Sequence, residues 1–253
     1  MKAASLSRLV AHADRLLRPA AFKDWDGAHN GLQVENSGRV TRIAAAVDAS
    51  LATVKLAAAA GADLLIVHHG LFWSPNVPWT GRRRELLGAL VEENVAVYSS
   101  HLPLDAHPRL GNNAQLAAAL GLRRLRPFFE CKGRKIGWQA AADLSRAALE
   151  GALTRALGGA PKVLPGGPAR CRRIGIVTGG AGAELKQAAA EGVDTFITGE
   201  GPHWTFGVAE ELGLNVFYGG HYATETFGVK ALAAHLSERF GVPWVFLDHP
   251  TGL

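Results

Sequence analysis

IAAAVDASLATVKLAAAAGADLLIVHHG, residues 43–70, is the stretch whose reading decides the fold. Ile43 to Val47 is an unbroken apolar run, as expected of a strand buried on both faces. Leu51 to Ala60 is rich in Ala, Leu and Lys, which favour helix. Gly61 can take the left-handed conformation at which helices end. Asp63 to Val67 is then a second apolar strand, and it runs into two histidines. Strand, helix and strand of these lengths predict a parallel βαβ unit.

The same pattern recurs at residues 174–201, aligned without a gap at an offset of 131. Ile43, Lys55, Gly61, Asp63, Ile66 and Gly70 meet Ile174, Lys186, Gly192, Asp194, Ile197 and Gly201, beside several shared alanines. Further on the offset becomes 120. Val97-Tyr98-x-x-His101-x-x-x-Asp105 parallels Phe217-Tyr218-x-x-His221-x-x-x-Glu225, and Leu116 and Gly121 match Leu236 and Gly241. The first copy therefore carries eleven extra residues, which we place in Leu71 to Gly81. An internal duplication accounts for this pattern.

The expected fold class is α/β: two similar halves with mixed sheets and helices outside. The first half is read as residues 1–122 and the second as 169–253. Residues 123–168 form a connecting segment, with a strand at Ile136 to Ala142 and a helix at Leu144 to Leu157. Pro165 to Pro168 is turn chemistry leading into the second half. At the amino end Leu6 to Leu17 is an amphipathic helix, and Asp24 to Val34 a loop entering a strand.

With 253 residues, 48% hydrophobic and 19% charged, the chain is globular rather than disordered. No apolar run approaches the ~20 residues that cross a bilayer. Met1 to Pro19 scatters charges through a helical pattern, unlike a signal peptide. No membrane role and a cytoplasmic location are therefore expected. Cys131 and Cys171 form no CxxC pair, which excludes a disulfide framework and argues against a thiolate metal cluster. Arginines group at 82–84, 123–126 and 170–173, where loops or element ends are expected, so solvated surface is preferred to a basic groove.

The chemistry gathers at strand ends. His68-His69 close one buried strand, His101 and Asp105 follow Val95 to Ser99, and His221 and Glu225 follow Val216 to Tyr218. Ligands bind at the carboxyl ends of parallel strands. Adjacent strand residues face opposite ways, so His68 and His69 share a site only if the strand ends or twists, which Gly70 permits. With Pro103 between them, His101 and Asp105 sit in a turn or the first turn of a helix. A helix starting near Tyr222 would put His221 and Glu225 on one face. Imidazole with carboxylate suits Zn, Fe, Mn, Co or Ni. The donors are too many for one tetrahedral ion and fit two, with Glu225 or Asp105 bridging. His29, His107, His203 and His249 lack this context, although His203 beside Glu200 borders it. Thr178 to Gly182 is a weak phosphate-loop candidate, better read as a strand-to-helix turn.

Asn30-Gly31-Leu32-Gln33-Val34-Glu35, Ile66-Val67-His68-His69-Gly70, the run His101 to Pro108 with Gly111-Asn112-Asn113, and His221-Tyr222-Ala223-Thr224-Glu225 resemble the dinuclear metal centre hexameric protein family in its short bacterial form. Its members are often labelled GTP cyclohydrolase I type 2 homologs. The match runs from about Leu6 to Asp248. The resemblance implies intertwined halves, a homohexameric toroid, and two divalent ions per subunit on His68, His69, Asp105, His221 and Glu225. His101 is a sixth ligand, a catalytic proton shuttle or a supporting group. Its mirror position to His221 favours the first.

The expected function is that of a metal-dependent hydrolase using a metal-bound hydroxide on a small substrate, nucleotide-like by the family label alone. The alternatives are a metal-handling chaperone and, less favoured, a nucleic-acid-binding ring.

Overall fold

A computed structural model describes residues 3–73 and 77–253. Residues 74–76 of the expected insertion and Met1-Lys2 of the amino-terminal reading lie outside the described residues. In chain order the elements begin β1 (Ala4–Ser5), α1 (Leu6–Leu17), β2 (Gly31–Val34), β3 (Arg39–Val40), β4 (Ile43–Asp48), α2 (Leu51–Ala59), β5 (Leu64–His69), α3 (Arg82–Glu92), β6 (Ala96–Ser99) and α4 (Leu102–Asp105). They continue α5 (Asn112–Ala119), β7 (Arg126–Cys131), β8 (Arg134–Ser145), α6 (Arg146–Leu157), β9 (Lys162–Pro165), β10 (Arg170–Ile176) and α7 (Leu185–Ala190). The chain closes with β11 (Thr195–Thr198), α8 (Thr205–Leu212), β12 (Asn215–Tyr218), α9 (His221–Phe240) and β13 (Trp244–Phe246).

Two compact units interleave along the chain. One comprises Met1–Leu104 with Gly228–His249, the other Asp105–Phe227 with Pro250–Leu253. These boundaries differ from those drawn at 122 and 168, because strand pairing rather than chain order decides membership. In particular β7, β8 and β9, all from the segment read as a connection, are strands of the second unit's sheet.

The first unit's main sheet has the order β13-β4-β5-β6-β2. The first four strands are parallel and β2 is antiparallel. The expected βαβ unit is its centre. Ser50 caps α2, its Oγ accepting from the Thr53 amide at 3.2 Å while Thr53 Oγ1 accepts from the Ser50 amide at 2.9 Å. After Ala60 the chain turns at Gly61 with φ +66°. Val54 and Ala57 of α2 and Leu90 of α3 bury against Ala44, Ala46, Leu65, Val67 and Val97 of the strands. A leucine or valine buried in this way contributes about 1.5–3 kcal/mol.

The second unit's sheet has the order β7-β8-β10-β11-β12-β9, with β10, β11 and β12 parallel and the others antiparallel to their neighbours. Leu149 and Leu153 of α6 bury with Leu116, Ile174, Ile176, Ile197 and Phe217. Both sheets are thus mixed, as expected.

The internal similarity extends to hydrogen bonds. Asp63 accepts from the backbone amides of Thr41 and Arg42, and its own amide donates to the Arg42 carbonyl. Asp194 accepts from the amides of Arg172 and Arg173 and donates to the Arg173 carbonyl, each partner displaced by 131. The Gly-x-Asp pattern is therefore structural. Each aspartate ties the start of its strand to the preceding strand. Among the described residues no helix is long and apolar enough to cross a membrane.

Candidate metal centre

In the first unit β5 ends in His68-His69 and β6 leads through Ser99-Ser100 into His101. His68 is fully buried, with Nδ1 2.9 Å from the Ser100 carbonyl. A carbonyl only accepts, so Nδ1 carries the proton and Nε2 the lone pair. His69 faces Asp48, its cross-strand partner on β4, with Nδ1 2.8 Å from Oδ1. His101 Nδ1 lies 2.8 Å from Asp24 Oδ1. Asp24 also accepts from Asn30 Nδ2 at 2.8 Å and from the amides of Trp25 and Leu102 at 2.7 and 3.1 Å. Burial pushes the Asp24 carboxyl up, but the His101 contact and the other donors outweigh it and hold the group below the usual carboxylate range.

The three imidazoles form one cluster. The His68 and His69 rings are 4.9 Å apart, His68 and His101 also 4.9 Å, and His69 and His101 5.7 Å. One nitrogen from each lies within 4.8 Å of the other two. Gly70 serves this arrangement differently from the expected twist. A β-carbon there would collide with the side-chain amide of Gln33. The space admits that amide, which donates to the His29 carbonyl at 2.9 Å and accepts from the Leu71 amide at 2.7 Å. Trp73 packs edge-on against His69 and His101, at centroid distances of 5.6 and 4.8 Å.

In the second unit α9 begins at His221 itself, directly after Gly220 at φ +90°. His221 Nδ1 lies 2.8 Å from Glu200 Oε1, and Nε2 is 3.2 Å from Glu225 Oε2 one turn along the helix. Burial lowers the His221 pKa, but Glu225 and then Glu200 outweigh it and raise the imidazole to about 9. Gly179 makes room for this pair: its φ is +73°, and a β-carbon there would collide with Glu225 Oε1. Asp105 ends the single turn α4 as expected. It is buried, and Oδ1 accepts from Asn112 Nδ2 at 2.8 Å.

The Thr178 to Gly182 loop is a strand-to-helix turn. The amides of Thr178, Gly179, Ala181 and Gly182 donate to Asn113, Thr224, Thr198 and Glu200, so they form no anion cradle. His107 accepts from the amides of Arg109 and Leu110, a structural use, while His29 and His203 are exposed.

Sequence reading missed Asp24, Asp48, the Ser100 carbonyl and Trp73, and it noticed Glu200 only as a neighbour of His203. Two signals were present. Asp48 ends the strand beside the one that ends in His69, and Glu200 aligns with His69 in the repeat. The donor set fits divalent transition metals. All four histidines donate Nδ1–H to an oxygen, which is how metal-binding imidazoles are oriented, and the second unit adds the buried carboxylates Asp105 and Glu225.

Residues 4–251 match the family profile described as Duf34/NIF3 (NGG1p interacting factor 3). A protein of Deinococcus radiodurans named GTP cyclohydrolase 1 type 2 homolog is 42% identical over 97% of this chain and 93% of its own length. One of the same name in Halobacterium salinarum is 47% identical over 90% of this chain and 92% of its own. The solved structure of TTHA1606 from Thermus thermophilus superposes with a TM-score of 0.91 at 43% identity, covering 99% of this chain and 100% of that one.

Proposed function

The chain belongs to the Duf34/NIF3 family, and from that premise we propose that His68, His69, His101, Asp105, His221 and Glu225 hold two divalent transition-metal ions. The observation that carries this reading is the shared anchoring of the four histidines, each giving its Nδ1 proton to an oxygen and so turning Nε2 to a metal, at His221 once the proton held against Glu225 is lost. His101 is anchored like His69 and His221, which supports the role of sixth ligand. His101 and Asp105 lie only four residues apart across α4, and His221 and Glu225 only one turn apart on α9, so few backbone constraints orient four of the six donors. Divalent ions held by these residues would supply an activated water as nucleophile at neutral pH.

The activity proposed is hydrolysis of a small substrate. Ring opening of GTP is the reading that the relatives' name suggests. In it Asp24, Asp48 and Glu200 orient the imidazoles, Trp73 walls the histidine cluster, and Glu225 and Asp105 would give carboxylate oxygens to the ions. Six copies in a ring and a cytoplasmic location complete the proposal. The test is metal analysis of purified protein followed by an unbiased metabolite screen. Two ions per chain, with turnover lost in Glu225→Gln at unchanged fold, support it. Stoichiometric metal without turnover on any nucleotide, ester or amide would favour metal handling instead, provided a competing chelator removes the ions readily.

A further inference from the structure

Four arginines of the groups that sequence assigns to solvated surface, Arg123, Arg124, Arg126 and Arg173, line one groove of the second unit. Arg123 and Arg124, from the turn between α5 and β7, and Arg126, which opens β7, bound a volume of about 630 Å³ together with Arg173 of β10. Ala140, Leu144 and Gln139 of β8 also line it. Among the described residues Asp143 is the one carboxylate lining it, and Arg170, which is not part of the lining, neutralises that group at 2.6 Å. The four lining guanidiniums have no ion pair among the described residues. Arg124 holds φ +55°, a conformation rarely adopted by residues with a side chain, although Gly121 already supplies a left-handed turn residue three positions earlier. The repeat offers a contrast. Where the first copy has Leu122-Arg123-Arg124-Leu125-Arg126, the second has Val242-Pro243-Trp244-Val245-Phe246.

We propose that this groove binds a small ligand through a di- or triphosphate group. Guanidinium matches phosphate oxygens two at a time, and four of them balance the charge of a triphosphate. The volume is that of a small-molecule site, typically about 300–1,000 Å³. Among the described residues no aromatic side chain lines the groove to stack bases, which disfavours a nucleic-acid strand and leaves the phosphate chain as the part recognised. No histidine, cysteine or serine is among them either. The groove runs along β8 from Leu144, opposite Cys171, to Gln139, opposite Gly175, and none of its lining residues comes from β11 or β12, the strands that lead to Glu200 and His221. The inference does not depend on the metal reading.

The experiment is calorimetric titration of metal-stripped protein with inorganic tripolyphosphate, ATP and a single-stranded oligonucleotide in turn. One tripolyphosphate should bind per chain. The double variant Arg124→Asn, Arg173→Gln should weaken it at least tenfold at an unchanged melting temperature, while Arg84→Gln on α3 changes nothing. Arg126→Gln alone should weaken it severalfold, which keeps the test decisive if the double variant melts early. Equal affinity for tripolyphosphate and ATP assigns recognition to the phosphates alone, and tighter ATP adds a nucleoside contact; both support the proposal. No saturable binding, or binding that ignores the arginine changes, overturns it. So does an oligonucleotide that displaces tripolyphosphate at lower concentration and binds more tightly with length.

Discussion

Asp24 holds the His101 imidazole with a carboxylate that accepts from four donors, so its loss should be felt in metal binding rather than in folding alone. We expect Asp24→Asn to weaken metal affinity about 10–100-fold, measured by competition with a chromophoric chelator; an affinity within twofold of the parent would sink the anchoring role. His221 gives a pH prediction. Its folded pKa of about 9 exceeds the ordinary histidine value of 6.5 because Glu225 and Glu200 flank it. The metal-free protein therefore has the full stabilisation from this group below about pH 6.5 and loses it as pH rises through about 9. The stability gap between the metal-stripped parent and His221→Gln should close over that window in urea titrations. Metal uptake at about pH 7.5 must displace this proton, seen as an apparent enthalpy that changes with the buffer's ionisation enthalpy. At this scale the candidate ligands could be picked out because each is a histidine or acid at, or within a turn of, the end of an apolar run. Their anchors were not, because Asp24 reaches His101 across 77 positions and the Ser100 contribution is a backbone carbonyl that any residue supplies.

Among the elements, Asp63 and Asp194 each tie two strands through charged hydrogen bonds to paired amides. Asp63→Ala and Asp194→Ala should each cost about 1.5–3 kcal/mol, read as a lower urea midpoint at an unchanged slope. A negligible shift for both would show that water replaces the carboxylate freely. The βαβ unit was readable because buried parallel strands are continuous apolar runs and Gly61 marks the helix end. Helix α1 was also found, residue for residue, from its amphipathic period. The segment 123–168 was misread for a physical reason. β8 and α6 were found, with Leu144 and Ser145 of the strand read into the helix, but β7 and β9 were not, and Pro and Gly report only local reversals of the chain. Nothing local to Lys162–Pro165 says that it pairs with Asn215–Tyr218, some fifty residues later.

For the molecule as a whole, the first unit is discontinuous. A chain ending at Phe227 would lack β13, whose partner is β4, and the part of α9 carrying buried Val229, Leu232, Ala233 and Leu236. It would also lose His235, whose Nε2 lies 2.9 Å from that of His12 on α1. The lost burial, at about 1.5–3 kcal/mol per large side chain, rivals the ~5–15 kcal/mol that holds a domain together. Such a chain should be cleaved rapidly within residues 3–104 in limited proteolysis, and protection equal to the parent's would contradict the division.

The interleaved chain also sets an order of maturation on the ribosome. Residues 105–227 emerge as one stretch and can collapse first, whereas the earlier-made strands wait for β13. At about 5–20 residues per second, the 147 residues between Ser99 and Phe246 take roughly 7–30 s to synthesise. For that interval β4 presents an apolar, hydrogen-bond-hungry edge to the surrounding medium, and the nascent polypeptide is at its most dependent on chaperones.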